Sequence, residues 1–133
     1  MIVRLESSGT HELRRRVLRK DTPSQDVTYP QDDLPGTIHL GVTDDAGALV
    51  GVASWAVEAW PEEPDVPAVR LRGMAVDTTL QGSGFGRQLV DAGVEWASSN
   101  GARIVWASAR DAVLAFYGRC GFEVVGEGFV DAP

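Results

Sequence analysis

A strand that runs into three alternating glycines and then at once into a helix constrains this chain more than any other feature. The stretch is Leu71-Arg72-Gly73-Met74-Ala75-Val76-Asp77-Thr78-Thr79-Leu80-Gln81-Gly82-Ser83-Gly84-Phe85-Gly86-Arg87. Glycine tolerates positive φ and has no Cβ, so such a loop can turn its backbone N–H groups inward toward a ligand. The unpaired N–H groups and positive dipole end of the following helix favour a phosphate. Arg87, in the first helical turn, can add a charge-assisted contact. Two phosphate-binding motifs built from the same parts do not fit. A Walker loop needs Gly-x-x-x-x-Gly-Lys-Ser/Thr, and the chain's one lysine is Lys20. A dinucleotide fingerprint needs Gly-x-Gly-x-x-Gly after the first strand of its βαβ unit. Here Gly82-x-Gly84-x-Gly86 follows the fourth expected strand. On these residues alone, a tight strand–helix joint with no ligand is the competing reading.

The rest of the chain sets this loop in an α+β domain. Ile2–Leu5 alternates with charge as a strand, and Thr10 is placed to cap a helix over His11–Leu18 with Leu13 and Val17 on one face. Asp21–Gly36 reads as a loop. Thr37–Thr43 and Ala48–Ala59 form a hairpin about Asp44-Asp45-Ala46-Gly47. A second loop, Trp60–Pro67, leads to a strand over Ala68–Val76. Gly84–Asn100 has helical period through Phe85, Leu89, Gly93 and Trp96, with Asn100-Gly101 as its stop. Ile104–Ala107 is a short buried strand, Asp111–Cys120 a second amphipathic helix, and Phe122–Gly126 a closing strand. The order β-α-β-β-β-α-β-α-β implies a parallel crossover in the second half.

The length of 133 residues suits one domain, 1–133, and a 44% hydrophobic, 23% charged composition is that of a globular chain. The net charge of −7 argues against a nucleic-acid partner, which would need surplus Lys and Arg. An acidic body suits a cationic small molecule better than a polyanion. Six basic groups fall within residues 1–20 (Arg4, Arg14, Arg15, Arg16, Arg19, Lys20). The Arg14–Lys20 run reads as a solvated helix face or a partner for acidic loops, not a DNA-reading element. The longest nearly apolar stretch, Ala46–Val57, is too short to span a membrane. Met1 leads straight into Ile2–Leu5 without a signal region, and the lone Cys120 forms no internal disulfide. A cytoplasmic location is therefore expected. No His/Cys cluster has metal-ligand spacing, so no metal is expected.

The glycine loop and one further motif make a family resemblance explicit. Gln81-Gly82-Ser83-Gly84-Phe85-Gly86 is similar to the Gln/Arg-x-x-Gly-x-Gly/Ala loop of the GCN5-related N-acetyltransferases (GNATs). Downstream, Ala112-Val113-Leu114-Ala115-Phe116-Tyr117-Gly118-Arg119-Cys120-Gly121-Phe122 resembles that family's second motif, in which Phe-Tyr precedes Gly-Phe. The resemblance implies an acetyl-CoA-dependent N-acetyltransferase with a mixed, mostly antiparallel sheet, splayed between its central parallel strands and flanked by helices. It implies that Met74 and Val76, about Ala75, offer backbone hydrogen bonds to the pantetheine arm. The Gln81, Gly82, Ser83, Gly84, Phe85, Gly86, Arg87 stretch would then hold the pyrophosphate. The strand at 104–107 would splay from that at 68–76 to admit the thioester. Tyr117 matches the general acid that protonates the departing thiolate, and Ser108 stands where related sequences often carry a cofactor-contacting Asn.

Each of these residues also has an ordinary reading. Tyr117 lies on the apolar stripe of its helix and can simply pack there; an unperturbed phenol, pKa about 10, is nonetheless a serviceable donor to a thiolate. Glu58 and His39 are candidates for the base that deprotonates the amine, against a solvated strand end and a hydrogen-bonded sheet residue. Trp60, Glu62, Glu63 and Asp65 are candidates for shaping a cationic acceptor site, against a solvated loop. Cys120 reads as a structural thiol. The expected reaction is direct attack of a primary amine on acetyl-CoA in a ternary complex. A non-catalytic acyl-CoA-binding module or a protein-interaction domain on the same fold is the alternative. The expected partners are a small-molecule amine and at most a second copy in a homodimer, with neither nucleic acid nor membrane. In that fold a seventh strand follows the sixth, and only Glu127–Pro133 remain after Gly126. The chain thus reads as about one strand short, with omitted C-terminal residues the expected reason.

Overall fold

The computed structural model describes residues 1–19, 26–108 and 114–123. Strands β1 (Ile2–Leu5), β2 (Ile38–Thr43), β3 (Leu49–Val57), β4 (Ala68–Val76) and β5 (Ile104–Trp106) lie in sequence order in one sheet. The first three pairings are antiparallel, and β5 runs parallel to β4. Helix α1 (His11–Leu13) continues as a π-helical turn over Arg14–Leu18. A parallel neighbour requires a crossover, which α2 (Phe85–Ser99) supplies, and α3 (Leu114–Arg119) follows β5.

Period-two alternation sends the strand side chains to two faces. Ile38, Leu40 and Val42 of β2, Trp55 of β3 and Leu71 of β4 bury against Leu89, Val90 and Ala97 of α2. On the other face Leu13 packs on Val52 and Ala75. The α2 seam is close: a Cβ built at Gly93 falls 1.9 Å from the ring of the fully buried Trp55. Gly93→Ala is therefore expected to cost about 3 kcal/mol through overpacking. Urea denaturation followed by tryptophan fluorescence would measure it, and a loss under about 1 kcal/mol would show that this seam yields.

Most expected boundaries are met within a residue or two, and the hairpin turn is held as its sequence suggests. Asp44 Oδ1 accepts from the N–H groups of Ala46 and Ala48, both at 2.9 Å, and Gly47 has φ +85°. The Thr10 cap is a correction. Thr10 already has helical φ −91° and ψ −14°, and its hydroxyl donates backward to the Ser7 carbonyl at 2.7 Å. A 3-10 turn, Ser7–Thr10, leads into the helix instead. Phe122 and Glu123 are not in a strand, and the remainder of the expected closing strand lies outside the described residues. So do the first residues of the second amphipathic helix, 111–113, and the C-terminal segment on which the missing-strand expectation rests.

Two departures from a regular β4 position the site. Between Arg72 and Ala75 the strand holds an extra residue: Ser54 pairs with Arg72 and Val52 with Ala75, leaving Gly73 and Met74 opposite Ala53. Gly73 takes φ +61°, the conformation that makes this bulge a glycine position. Second, β5 pairs with β4 only over Ala68↔Ile104, Val69↔Val105 and Arg70↔Trp106. Among the described residues no strand continues that pairing along Leu71–Val76, so β4 has an open side there.

Candidate active site

The open side of β4 presents backbone. Asp77 N–H donates to the Val50 carbonyl at 2.8 Å, across β3. Alternation along the strand then turns the N–H and C=O of Val76, and of Met74 beside the bulge, away from β3 toward the side that β5 has left. Gln81 Nε2 reaches back to the Val76 carbonyl at 3.2 Å, tying the glycine loop to the end of the strand. Asp77 anchors the turn between them, its Oδ1 accepting from Thr79 N at 3.0 Å and Thr79 Oγ1 at 2.9 Å.

The loop itself is open. Gly82 and Gly84 both have φ +90°, and nothing lies within 4 Å of a Cβ built on either. Helix α2 begins with Gln88 N–H donating to Gly84 O at 3.1 Å. The N–H groups of Gly82, Gly84, Phe85, Gly86 and Arg87 donate to no acceptor among the described residues. No side chain caps the helix, so its positive end faces the loop. Arg87 is more than half exposed and only loosely held by Asp91 at 3.7 Å. Ser83 N–H, by contrast, is bonded to Leu80 O at 3.1 Å. These unpaired donors suit the pyrophosphate of a coenzyme, with a run of outward-facing strand backbone leading away from them.

Tyr117 is joined to this end of the molecule through Phe116. A Cβ at Gly86 would lie 3.0 Å from Phe116 Cζ and 3.1 Å from Met74 Cε, so the first turn of α2 sits against α3 and β4 together. Tyr117 packs edge-on to Phe116 at 5.4 Å and against Phe122 at 5.5 Å. Burial, and next to it Cys120, push its phenol up to about 12. It stays protonated throughout the neutral range, as a proton donor must. Burial likewise raises the Cys120 thiol, which disfavours its thiolate.

Glu58 and Ser108 form a separate cluster where β4 and β5 part. Arg70 donates to Glu58 Oε2 at 2.9 Å and to Ser108 Oγ at 3.0 Å, and stacks on Trp106 with 4.6 Å to the ring centre. Gln31 Nε2 also donates to Glu58, at 3.3 Å, and Trp106 Nε1 donates to the Glu58 carbonyl at 2.9 Å. Ser108 thus faces Arg70 across the first gap of the open side. His39 lies elsewhere, buried, with both ring nitrogens engaged. They lie 2.6 Å from Ser54 Oγ and 2.9 Å from the Asp32 carbonyl. A carbonyl only accepts, so Nε2 carries the proton and Nδ1 takes the Ser54 hydroxyl; this imidazole has no lone pair left for an amine. Glu62, Glu63 and Asp65 are exposed loop residues. A cleft of about 610 Å³ beside β5, bordered by Trp60, Val105, Cys120 and Phe122, includes no residue of that loop. Among the described residues no His, Cys, Asp or Glu side chains group as metal ligands, and no helix is long and apolar enough to cross a membrane.

The most buried ionic feature escapes a plain sequence reading. Arg14 is fully buried: Nη1 donates to Asp32 Oδ2 and to Val27 O, each at 2.8 Å, and Nη2 to Asp32 Oδ1 at 3.1 Å and Ser54 Oγ at 2.6 Å. It lies under the β4 bulge, where a Cβ at Gly73 would be 2.7 Å from Arg14 Nε and 2.9 Å from the Tyr29 ring. Within Arg14-Arg15-Arg16 the buried member is the one beside Leu13 on the helix's apolar stripe, and a glycine inside a strand is the signal for the bulge. Arg16 also bonds Asp77 at 3.2 Å, so two members of the run pair with loop acids, while Arg15 is exposed and Lys20 lies outside the described residues.

A loop of free N–H groups at a helix start, set beside a strand whose parallel partner has left it, makes an anion-suited site in an α+β fold. Comparison with known proteins agrees. The model of the acetyltransferase (GNAT) family matches residues 8–122. The chain is 33% identical over 124 residues to the uncharacterized N-acetyltransferase YitI of Bacillus subtilis, covering 93% of this chain and 82% of that protein. It is 31% identical over 129 residues to the uncharacterized N-acetyltransferase YhbS of Escherichia coli K12, covering 93% and 74%. In fold it is similar to the crystal structure of glucosamine-6-phosphate N-acetyltransferase from Arabidopsis thaliana, with TM-score 0.73 at 18% identity, covering 98% of this chain and 96% of that one. The chain belongs to the GNAT acetyltransferase family, and acetyl-CoA is the cosubstrate that membership implies.

Proposed function

We propose that this chain transfers an acetyl group from acetyl-CoA to a primary amine by direct attack in a ternary complex. The observation that carries the reading is the set of unpaired N–H groups from Gly82 to Arg87, continuous with the open backbone of Met74–Val76. The loop donors would hold the pyrophosphate, Arg87 would add its charge, and the strand would align the pantetheine arm. The thioester supplies an activated acetyl group. The amine nitrogen bonds to the acetyl carbon as the carbon–sulfur bond breaks. Tyr117 gives its phenolic proton to the departing sulfur, and the amine's surplus proton leaves toward Glu58, directly or through water. Arg70 and Gln31 hold that carboxylate at the parting of β4 and β5.

Calorimetry with CoA and a free-thiol release assay over amines, aminoglycosides, polyamines and amino acids test this reading together. CoA binding with turnover on at least one amine is expected. Absence of binding at millimolar CoA would remove the coenzyme reading; binding without any turnover would leave a coenzyme-binding module. Gly84→Ala sharpens the test. Its added Cβ meets open space, but φ +90° disfavours any L side chain, so CoA affinity should fall about tenfold with little change in core packing.

A further inference from the structure

Most arginines around the Glu58 face of the sheet are matched with acids; Arg15 is exposed with no partner among the described residues, and Arg72 is the half-buried exception. Arg14 is paired with Asp32 at 2.8 Å, Arg70 with Glu58 at 2.9 Å and Arg16 with Asp77 at 3.2 Å. Arg19 bonds the Asp26 carbonyl at 3.2 Å, and its charge acts on that residue's carboxylate. Arg72 has neither a hydrogen-bond acceptor nor a carboxylate partner among the described residues, although the chain carries a net charge of −7. It is half-buried, and its Nε is fully buried and unpartnered. Its two Nη groups keep access to solvent and have no partner among the described residues, so they are open to an incoming anion.

The position of Arg72 says which anion. Arg70 makes the last β4–β5 pair, and Arg72 is two residues further along the same face, roughly 6–7 Å on, where β4 has its open side. Met74 and Val76 follow it directly. The guanidinium is held over the Tyr29 ring at 5.3 Å to the ring centre. That ring already carries Arg14 at 4.6 Å, whose charge Asp32 neutralises. The Tyr29 hydroxyl is itself buried without a hydrogen-bond partner. One uncompensated positive charge, beside an unpaired phenol in an otherwise acidic protein, matches a single negative charge better than a phosphate dianion.

We propose that the acceptor amine carries a carboxylate, and that Arg72 with Tyr29 binds that carboxylate while the amine reaches the open side of β4. This rests on the acetyltransferase reading above and names its substrate class. The local charge thereby reverses the preference for a cationic acceptor that the overall composition suggests.

The test compares the common amino acids with their amides, and ethanolamine with phosphoethanolamine, by thiol release and by calorimetric binding to the CoA-loaded protein. The best amino acid should exceed its own amide in kcat/KM and in affinity by about 10- to 100-fold, the value of a charge-assisted hydrogen bond. R72Q should close that gap by lowering the acid's values, and R72K should keep part of it. Thermal midpoint and CoA affinity report whether either variant is folded. Equal values for acid and amide in the native protein, or an R72Q variant that lowers both alike, would overturn the proposal. Phosphoethanolamine outdoing every amino acid would overturn the carboxylate in favour of a phosphate. Carboxylate-selective binding without turnover would leave the carboxylate site standing and remove the enzymatic reading. Turnover without acid preference would do the reverse.

Discussion

Asp32→Ala is expected to destabilise the fold by about 3–5 kcal/mol, because it leaves the fully buried Arg14 guanidinium without its counter-charge. Three kinds of group converge there: Arg14 donates twice to the carboxylate, Tyr29 N–H donates at 3.0 Å, and the Arg14 Nη2–Ser54 bond leads on to His39. Burial alone would raise the Asp32 carboxyl, but the Arg14 hydrogen bonds, the Tyr29 N–H and the Arg14 charge outweigh it and hold it below the ordinary 3.8. A carboxyl held low in the folded state stabilises that state fully above its unfolded value. The contribution is lost as pH falls through the folded one. The native protein should therefore shed this stability only below about pH 3.8, and Asp32→Ala should show a flatter acid limb. Urea midpoints from pH 7 downward would measure both. A double variant, Arg14→Met with Asp32→Leu, should recover most of the loss, since a buried ion pair replaced by apolar groups is often near neutral. A single variant costing under about 1 kcal/mol would show that water reaches Arg14.

Tyr117→Phe should lower kcat about 10²-fold while leaving KM for acetyl-CoA and the thermal midpoint nearly unchanged. The phenol makes no hydrogen bond among the described residues, so its removal leaves packing with Phe116 and Phe122 intact. The burial that pushes this phenol to about 12 also denies a departing thiolate its water, and a proton is the alternative stabiliser. The protonated form is the working form, so kcat should show no alkaline decline until pH nears about 12. Unchanged turnover in Tyr117→Phe would return the residue to a packing role.

What the sequence revealed, and what it concealed, divides along physical lines. The glycine loop was legible because positive φ and absent Cβ are properties of the residues themselves. The same holds for the alternation that places Ile38, Leu40 and Val42 on one face. Arg14 was not, because three consecutive arginines look alike until the fold decides which lies next to Leu13. His39 and Glu58 were indistinguishable as bases in the sequence. They separate once hydrogen-bond partners exist, which leave His39 without a lone pair and Glu58 partly exposed. Arg72 was hidden for a different reason: being without a partner is a property of the assembled sheet, not of any stretch of chain.

The contact under Gly73 couples parts of the protein that would otherwise vary independently. Since the bulge rests on both Arg14 and Tyr29, residues 14, 29, 32 and 73 should drift only as a set when homologues diverge. A relative with a larger residue at 73 should carry shorter side chains at 14 or 29. Laboratory selection for heat resistance acting at position 14 or 32 should then leave its mark on the Michaelis constant for the acetyl donor. The selected residues would lie beneath the bulge of β4, not on the glycine loop.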